Sequence, residues 1–221
     1  MMSLGERPYA EIDGLGFMFW NWSSKSMTIL AGFGQNATVM GSDLNTTLLC
    51  FGKGDVTFFG GDGNNIAFGS VGNDVFVGGS GGGVNKFFGG AGDDLLIRGE
   101  GYRYSDLNGG VGNDTIVFGQ WDNIAGGLGA DRFIFAPKTS TPDAGFVSVR
   151  DLSFAQGDIL DLSMMQIPRE YMSVQDDTLV CWTPEGALQI NGVGNEITLV
   201  GGIDAAINVG DLLVFGWGGK G

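Results

Sequence analysis

Histidine is absent from all 221 residues, and the chain has only 2 Cys, 5 Pro and 11 Lys plus Arg. Without His there is no usual general base, no common zinc ligand and no Ser-His or Cys-His nucleophilic pair, so an enzyme would have to work with carboxylates alone. Cys50 and Cys181 are too few for a disulfide framework and lack metal-ligand spacing. They leave one bridge between them open and the redox compartment unsettled. Against 25 Asp plus Glu, the scarce basic residues give a net charge of −14. That field repels nucleic-acid phosphates and anionic membrane surfaces and suits divalent cations held by oxygen ligands. No segment reaches about 18 uninterrupted apolar residues, so no membrane span is expected. The N-terminal "MMSLGERPYAEIDGLGFMFWNW" also lacks the basic region, apolar run and small-residue cleavage site of a cleaved signal.

Glycine is abundant, at 42 residues, yet 43% of the chain is hydrophobic and it carries 16 Phe and 5 Trp. A glycine-rich linker would not carry so many aromatics, so the glycines are expected to serve repeated turns in a folded, strand-rich protein. "GSVGND" begins at Gly69, "GGAGDD" at Gly89, "GGVGND" at Gly109 and "GGLGAD" at Gly126, with spacings of 20, 20 and 17. Weaker half-copies lie between them. "FGKGDVTFF" from Phe51, "GGDGNNIAF" from Gly60 and "GSVGNDVFV" from Gly69 follow at a period of 9, and "SDLNTTLLC" and "FGQNATVMG" carry the register back to Phe33. Such regularity implies a solenoid whose coils bury their apolar sides only by stacking on each other.

In this frame the eighth position reads Met40, Leu49, Phe58, Ala67, Phe76, Phe87, Leu96, Leu107, Ile116 and Phe133. All are apolar, as expected for the inward middle residue of a three-residue strand. The residues that flank it on one sheet form a second, nearly continuous apolar set, interrupted by Arg132 and two Thr: Thr57/Phe59, Val75/Val77, Leu95/Ile97, Thr115/Val117 and Arg132/Ile134. This outward face is expected to be covered, either by the chain's own C-terminal region or by another subunit.

These motifs resemble the RTX, or haemolysin-type calcium-binding, nonapeptide G-G-x-G-x-D-x-U-x. The resemblance implies an all-β, right-handed parallel β-roll or β-solenoid over residues 33–135, in which six residues make a calcium-binding turn and three make a strand. An N-terminal aromatic-rich segment (1–32) would cap one end. A C-terminal, mainly antiparallel β cap with a secretion-signal-like tail (136–221) would close the other. Glycine suits the tight turns and brings carbonyls close, and Asp supplies a hard anionic oxygen.

By similarity the ligands are the carboxylates of Asp74, Asp94, Asp114 and Asp131, with carbonyls from Gly69 and Val71, Gly89 and Ala91, Gly109 and Val111, and Gly126 and Leu128. About three Ca2+ ions would lie between successive turns on one edge, in the 74/94, 94/114 and 114/131 intervals. Val56, Asn65, Asn85 and Ser105 occupy the Asp position of the weaker copies. Of these, Asn65, Asn85 and Ser105 on the opposite edge are expected to form polar side-chain ladders without metal.

Beyond the repeat, "TSTPD" reads as a connector, and "VRDLSFAQGDILDLS" (Val149–Ser163) resembles a segment that caps such rolls. Its Asp151, Asp158 and Asp161 are acidic cap residues or a further calcium site. "DDTLVCW", "GALQINGV", "NEITLVGG" and "GDLLVF" read as short strands.

The resemblance also implies type I secretion to the cell exterior or surface without a cleaved N-terminal signal. The favoured function is a structural protein that folds on calcium and self-assembles through its apolar face into a surface layer, filament or matrix. The alternative is a calcium-dependent adhesin or a polysaccharide- or ice-binding module. No H-E-x-x-H or G-x-S-x-G motif occurs, so no enzyme is expected.

Overall fold

The computed structural model describes residues 11–13, 16–21, 25–101, 104–136, 145–165, 171–176, 178–183 and 186–193. Near the N-terminus lie β1 (Glu11–Asp13), β2 (Gly16–Asn21) and β3 (Ser26–Ala31). The coils continue through β4 (Ala37–Met40), β5 (Asn45–Cys50), β6 (Val56–Phe59), β7 (Asn65–Phe68), β8 (Val75–Val77), β9 (Asn85–Ala91), β10 (Leu95–Ile97), β11 (Ser105–Val111), β12 (Thr115–Phe118), β13 (Asn123–Leu128) and β14 (Arg132–Phe135). Then follow β15 (Gly145–Val149), β16 (Ile159–Asp161), β17 (Met172–Gln175), β18 (Thr178–Thr183) and β19 (Gly186–Asn191).

Successive strands go to alternate sheets. The even-numbered strands β4 to β16 form the first sheet, with β1 at its edge, and the odd-numbered strands β3 to β15 form the second, which β2 and β19-β18-β17 extend. From β3 to β15 and from β4 to β16 every ladder is parallel. The chain is a parallel β-solenoid. Strands outside the glycine-rich stretch Phe33–Phe135, namely β3, β15 and β16, pair in the same parallel manner.

Antiparallel strands lie at the two ends. β1 pairs with β4 and β2 with β3 at one end, while β17, β18 and β19 form an antiparallel set at the other, where β19 joins β15 in parallel. Such strands limit the open parallel edge that would otherwise template pairing with other chains. "TSTPD", "NEITLVGG", "GDLLVF" and Trp22 lie outside the described residues.

The core runs as a column between the sheets. Phe58, Phe76, Phe87, Leu96, Leu107, Ile116 and Phe133 are fully buried, together with Ala67. Phe58, Phe76 and Phe87 meet edge to face, with ring centroids 5.8 to 6.3 Å apart, a favourable arrangement of ring quadrupoles. Phe76→Ala would leave a void that two rigid sheets cannot close. The expected loss is about 3–5 kcal/mol, measured by denaturant unfolding.

At the N-terminal coils the nine-residue frame fails. Met40 is 43% exposed and Leu49 only half-buried, whereas Val39 and Leu48 are fully buried. Val39 pairs with Phe58 and Leu48 with Ala67. Leu48 and Phe58 are therefore the corresponding inward residues of consecutive strands, and they lie ten positions apart rather than nine. Because inward and outward residues alternate, this one extra residue turns Met40 and Leu49 outward.

No bridge joins the cysteines. Cys50 and Cys181 are free, and both are buried. Burial pushes the Cys50 thiol far up, helped by the charges of Asp74 and Asp94, and burial pushes Cys181 up to about 12. Both thiols are inert in the folded chain.

Candidate metal centre

The turns that lead from the second sheet to the first share one edge of the solenoid. Within each, the glycines do two jobs. Gly92 and Gly112 have φ of +134° and +138°, and a Cβ on either would lie 2.1 or 2.0 Å from the carbonyl oxygen of Gly72 or Gly92 in the preceding coil. Any side chain there is excluded by both conformation and space. The coils thus stack with backbone against backbone.

This stacking superposes Asp74, Asp94, Asp114 and Asp131, each 1 or 2% exposed, in a single column. Their Oδ1 atoms accept backbone N–H groups from the preceding coil. Val56 N donates to Asp74 (2.7 Å), Asp74 N to Asp94 (2.7 Å), Asp94 N to Asp114 (2.8 Å) and Asp114 N to Asp131 (2.8 Å). The column goes one rung further, since Asp131 N donates to Asp158 Oδ1 at 2.9 Å.

A second column runs outside the first with the opposite polarity. Asn36, Asp55, Asn73, Asp93 and Asn113 accept through Oδ1 from the backbone N–H of Asp55, Asn73, Asp93, Asn113 and Ala130, at 2.7 to 3.0 Å. Each turn is therefore held from both neighbouring coils. The sequence signal for this column is the Asn or Asp just before the buried Asp position.

The other carboxylate oxygens of the inner column define the chemistry. Oδ2 of Asp94, Asp114 and Asp131 is buried and has no hydrogen-bond partner. A Cβ on Gly89 would lie 2.1 Å from Asp94 Oδ2 and 2.6 Å from the Gly109 carbonyl oxygen, and one on Gly69 would lie 2.4 Å from Asp74 Oδ2 and 1.8 Å from the Gly89 carbonyl oxygen. The absent side chains let a carboxylate of one rung and a carbonyl of the next come together at the glycine Cα. On the third residue of the motif, the carbonyls of Ala91, Val111 and Leu128 already accept from Gly72, Gly92 and Gly112 N at 2.8 to 2.9 Å, which leaves each one lone pair. Val71 forms an isolated parallel bridge with Ala91, and a Cβ on Gly126 would meet Asp131 Oδ2 at 2.1 Å.

Burying unpaired anionic oxygens is costly, and the titration behaviour reflects it. Burial pushes Asp94 up to about 7, against the pull of the Asp74 N–H and with help from Asp114 and Asp74. Burial likewise raises Asp74, Asp114 and Asp131 to about 6. A hard cation would relieve the same cost, and hard carboxylate and carbonyl oxygens are the donor set that Ca2+ takes. The residues present fit such an ion.

A family model for the RTX calcium-binding nonapeptide repeat (4 copies) matches residues 52–84 and 80–103. The chain carries RTX calcium-binding repeats. The RTX match covers less than a quarter of the sequence, and no curated protein and no solved structure matches the chain. Asp74 and Asp94 lie within the matched RTX segments, while Asp114, Asp131 and Asp158 continue the same column beyond them.

The acidic trio after the RTX stretch does not converge. Asp158 extends the inner column, Asp151 accepts from Gly126 N (2.9 Å) and Gly127 N (3.0 Å), and Asp161 pairs with Arg132. Among the described residues no three Asp, Glu or Cys side chains form a metal-holding group. Each rung of the inner column instead sets a carboxylate beside backbone carbonyls.

The opposite edge is wired differently. Asn65 Nδ2 donates to Asn85 Oδ1 (2.9 Å) and to the carbonyls of Gly61 (3.0 Å) and Gly63 (2.9 Å), so Asn65 and Asn85 form the expected polar ladder. The contact at Ser105 differs from the expected side-chain ladder: its backbone N–H, not its hydroxyl, donates to Asp122 Oδ1 at 2.6 Å. Asp122 was not legible as a repeat position because the half-copy containing it lacks glycines at the usual places. The residual signal is Asp122-x-Ile124, with Ile124 fully buried.

Proposed function

We propose that this chain is a secreted calcium-binding structural protein whose solenoid folds on Ca2+ outside the cell and then assembles through its outward apolar face. The observation that carries the metal part is the column of buried, partnerless Oδ2 atoms on Asp94, Asp114 and Asp131, in register with RTX repeats. The ligands are Asp74, Asp94, Asp114 and Asp131 with the carbonyls of their turns, giving about three ions in the 74/94, 94/114 and 114/131 intervals. Bound calcium supplies positive charge that offsets the self-repulsion of the column. In a calcium-poor cytosol the chain stays open for export, and calcium near about a millimolar outside supplies folding free energy.

The assembly part is supported by the first sheet's outward positions, where Val75, Leu95, Thr115 and their neighbours Val77, Ile97 and Val117 stack in two columns and remain half-buried, with Phe59 40% exposed. A second copy would bury such a surface. A specific observation favours the adhesin reading as the second choice: surface rings stack in pairs, exposed Phe68 on half-buried Phe88 at 4.9 Å and exposed Phe33 on exposed Phe51 at 5.3 Å, which suits a flat sugar surface.

A calcium titration followed by far-UV circular dichroism, light scattering and electron microscopy tests the reading. Calcium is expected to induce β-structure and then ordered polymers that chelator dissolves. Folding into a strictly monomeric species at high concentration would remove the assembly part, and the absence of any calcium-induced change would remove the metal part.

A further inference from the structure

On the calcium-type edge three carboxylate Oδ2 atoms lack a partner. On the opposite edge the corresponding atom of Asp122 has two. Asp122 stands just before an outward Asn123 and an inward Ile124, as Asp114 stands before Thr115 and Ile116, and its Oδ1 takes the N–H of the preceding coil's Ser105. Its Oδ2 is 3.3 Å from Arg98 Nε and accepts from Gly119 N at 2.8 Å.

The guanidinium of Arg98 lies between two successive turns. Besides Asp122 it reaches the carbonyls of Gly99 (Nε, 3.1 Å) and Gly101 (Nη2, 3.4 Å) in its own turn and of Gln120 (Nη1, 3.5 Å) in the next. The Arg98 side chain is 10% exposed and that of Asp122 is fully buried. Gly119 makes room for it, since a Cβ there would lie 1.7 Å from Nη1. A carboxylate of one coil and carbonyls of two coils around one cation is the donor set assigned to calcium on the other edge. Two rungs below the 98–101 turn the Asn65 amide does a similar task without charge, with carbonyls of Gly61 and Gly63.

We propose that Arg98 is a built-in counter-cation, holding between the 98–101 and 119–122 turns the place that calcium holds on the other edge, and that its removal opens a divalent-cation site at Asp122. The inference rests on the calcium reading of the Asp74 to Asp131 column. It explains why an acidic residue on this edge needs no metal. It also makes the solenoid asymmetric, with one edge set by the medium and the other by the chain. A five-donor planar guanidinium can satisfy several oxygens at once, and it brings the positive charge that the Asn65 amide lacks.

Equilibrium dialysis of the full chain with calcium alone tests this, with wild type, Arg98→Ala and the double variant Arg98→Ala/Asp122→Asn side by side. Arg98→Ala is expected to bind about one more equivalent than wild type and to need calcium more for folding, and the double variant to lose that equivalent. Equal stoichiometry in wild type and folded Arg98→Ala overturns the proposal. So does an Arg98→Ala chain that stays unfolded even at about 10 mM calcium, since the ion then cannot replace the guanidinium. Asp122→Asn alone gives an independent reading in a chain that keeps Arg98: unchanged stoichiometry supports the proposal, and loss of one equivalent overturns it. Wild type that binds no calcium at all would instead sink the column reading on which the inference stands.

Discussion

Replacing Asp94 and Asp114 together with Asn is expected to abolish most of the calcium response while leaving a fold that survives chelator. The two substitutions keep Oδ1, which accepts the Asp74 and Asp94 N–H groups at 2.7 and 2.8 Å. They exchange the partnerless Oδ2 for an amide that can donate to the neighbouring turn carbonyls. Asn65 already does this on the opposite edge, where its amide reaches Gly61, Gly63 and Asn85 at 2.9 to 3.0 Å. Two buried anions would thus become two satisfied neutral groups, a change of about 1–3 kcal/mol each in favour of the metal-free fold.

Alanine at the same positions should behave in the opposite way. It removes Oδ1 as well and leaves two buried N–H groups unpaired, so the chain should be weakened with and without calcium by about 1–3 kcal/mol per group. Thermal melts of the two double variants in calcium and after its removal separate these cases. An Asn variant that still gains as much from calcium as wild type would count against carboxylate ligation by the column. Asp94 and Asp114 are the positions to choose because each faces both neighbouring rungs.

The pattern of glycine, Asp and β-branched or aromatic residue made the solenoid legible, since a turn that demands positive φ and a strand that demands one inward apolar residue leave few other sequences. It failed where backbone geometry tolerates variation. One extra residue between Leu48 and Phe58 moved the inward positions to Val39 and Leu48, and no local composition marks that slip. β15 and β16 join the ladders without G-G-x-G turns because their loops are longer, so the period of Asp131 to Asp158 is 27 rather than 20. What persisted at Asp158 is the short pattern of Asp, outward Ile159 and inward Leu160.

The candidate site divides in the same way. The inner carboxylate column follows from spacing, because every rung repeats the same residue at the same place. The Arg98–Asp122 pair does not, because its two members come from turns 24 residues apart that share no motif. Only the stacking of coils brings them together. Gly119, which an alignment on glycine spacing leaves unassigned, acquires its reason only from the guanidinium beside it.

Acidity is expected to stabilise the metal-free chain, and calcium to reverse that dependence. Burial raises Asp94 to about 7 and Asp74, Asp114 and Asp131 to about 6 in the fold, against 3.8 as the ordinary value. Folded groups with raised values bind protons more tightly than the open chain, so their contribution is fully present below about pH 4 and is lost as pH rises through 6 to 7. Without calcium the melting temperature should therefore be higher at pH 5 than at pH 8. Calcium needs the ionised oxygens, so the rise in melting temperature on adding it should be larger at pH 8 than at pH 5. Calcium-free dialysis is the suitable control, because carboxylate chelators weaken in acid. A metal-free chain more stable at pH 8 than at pH 5 would mean that the column is already compensated in the absence of a cation. The proposed opening of the chain by charge repulsion in a neutral, calcium-poor compartment would then have no basis in these four residues.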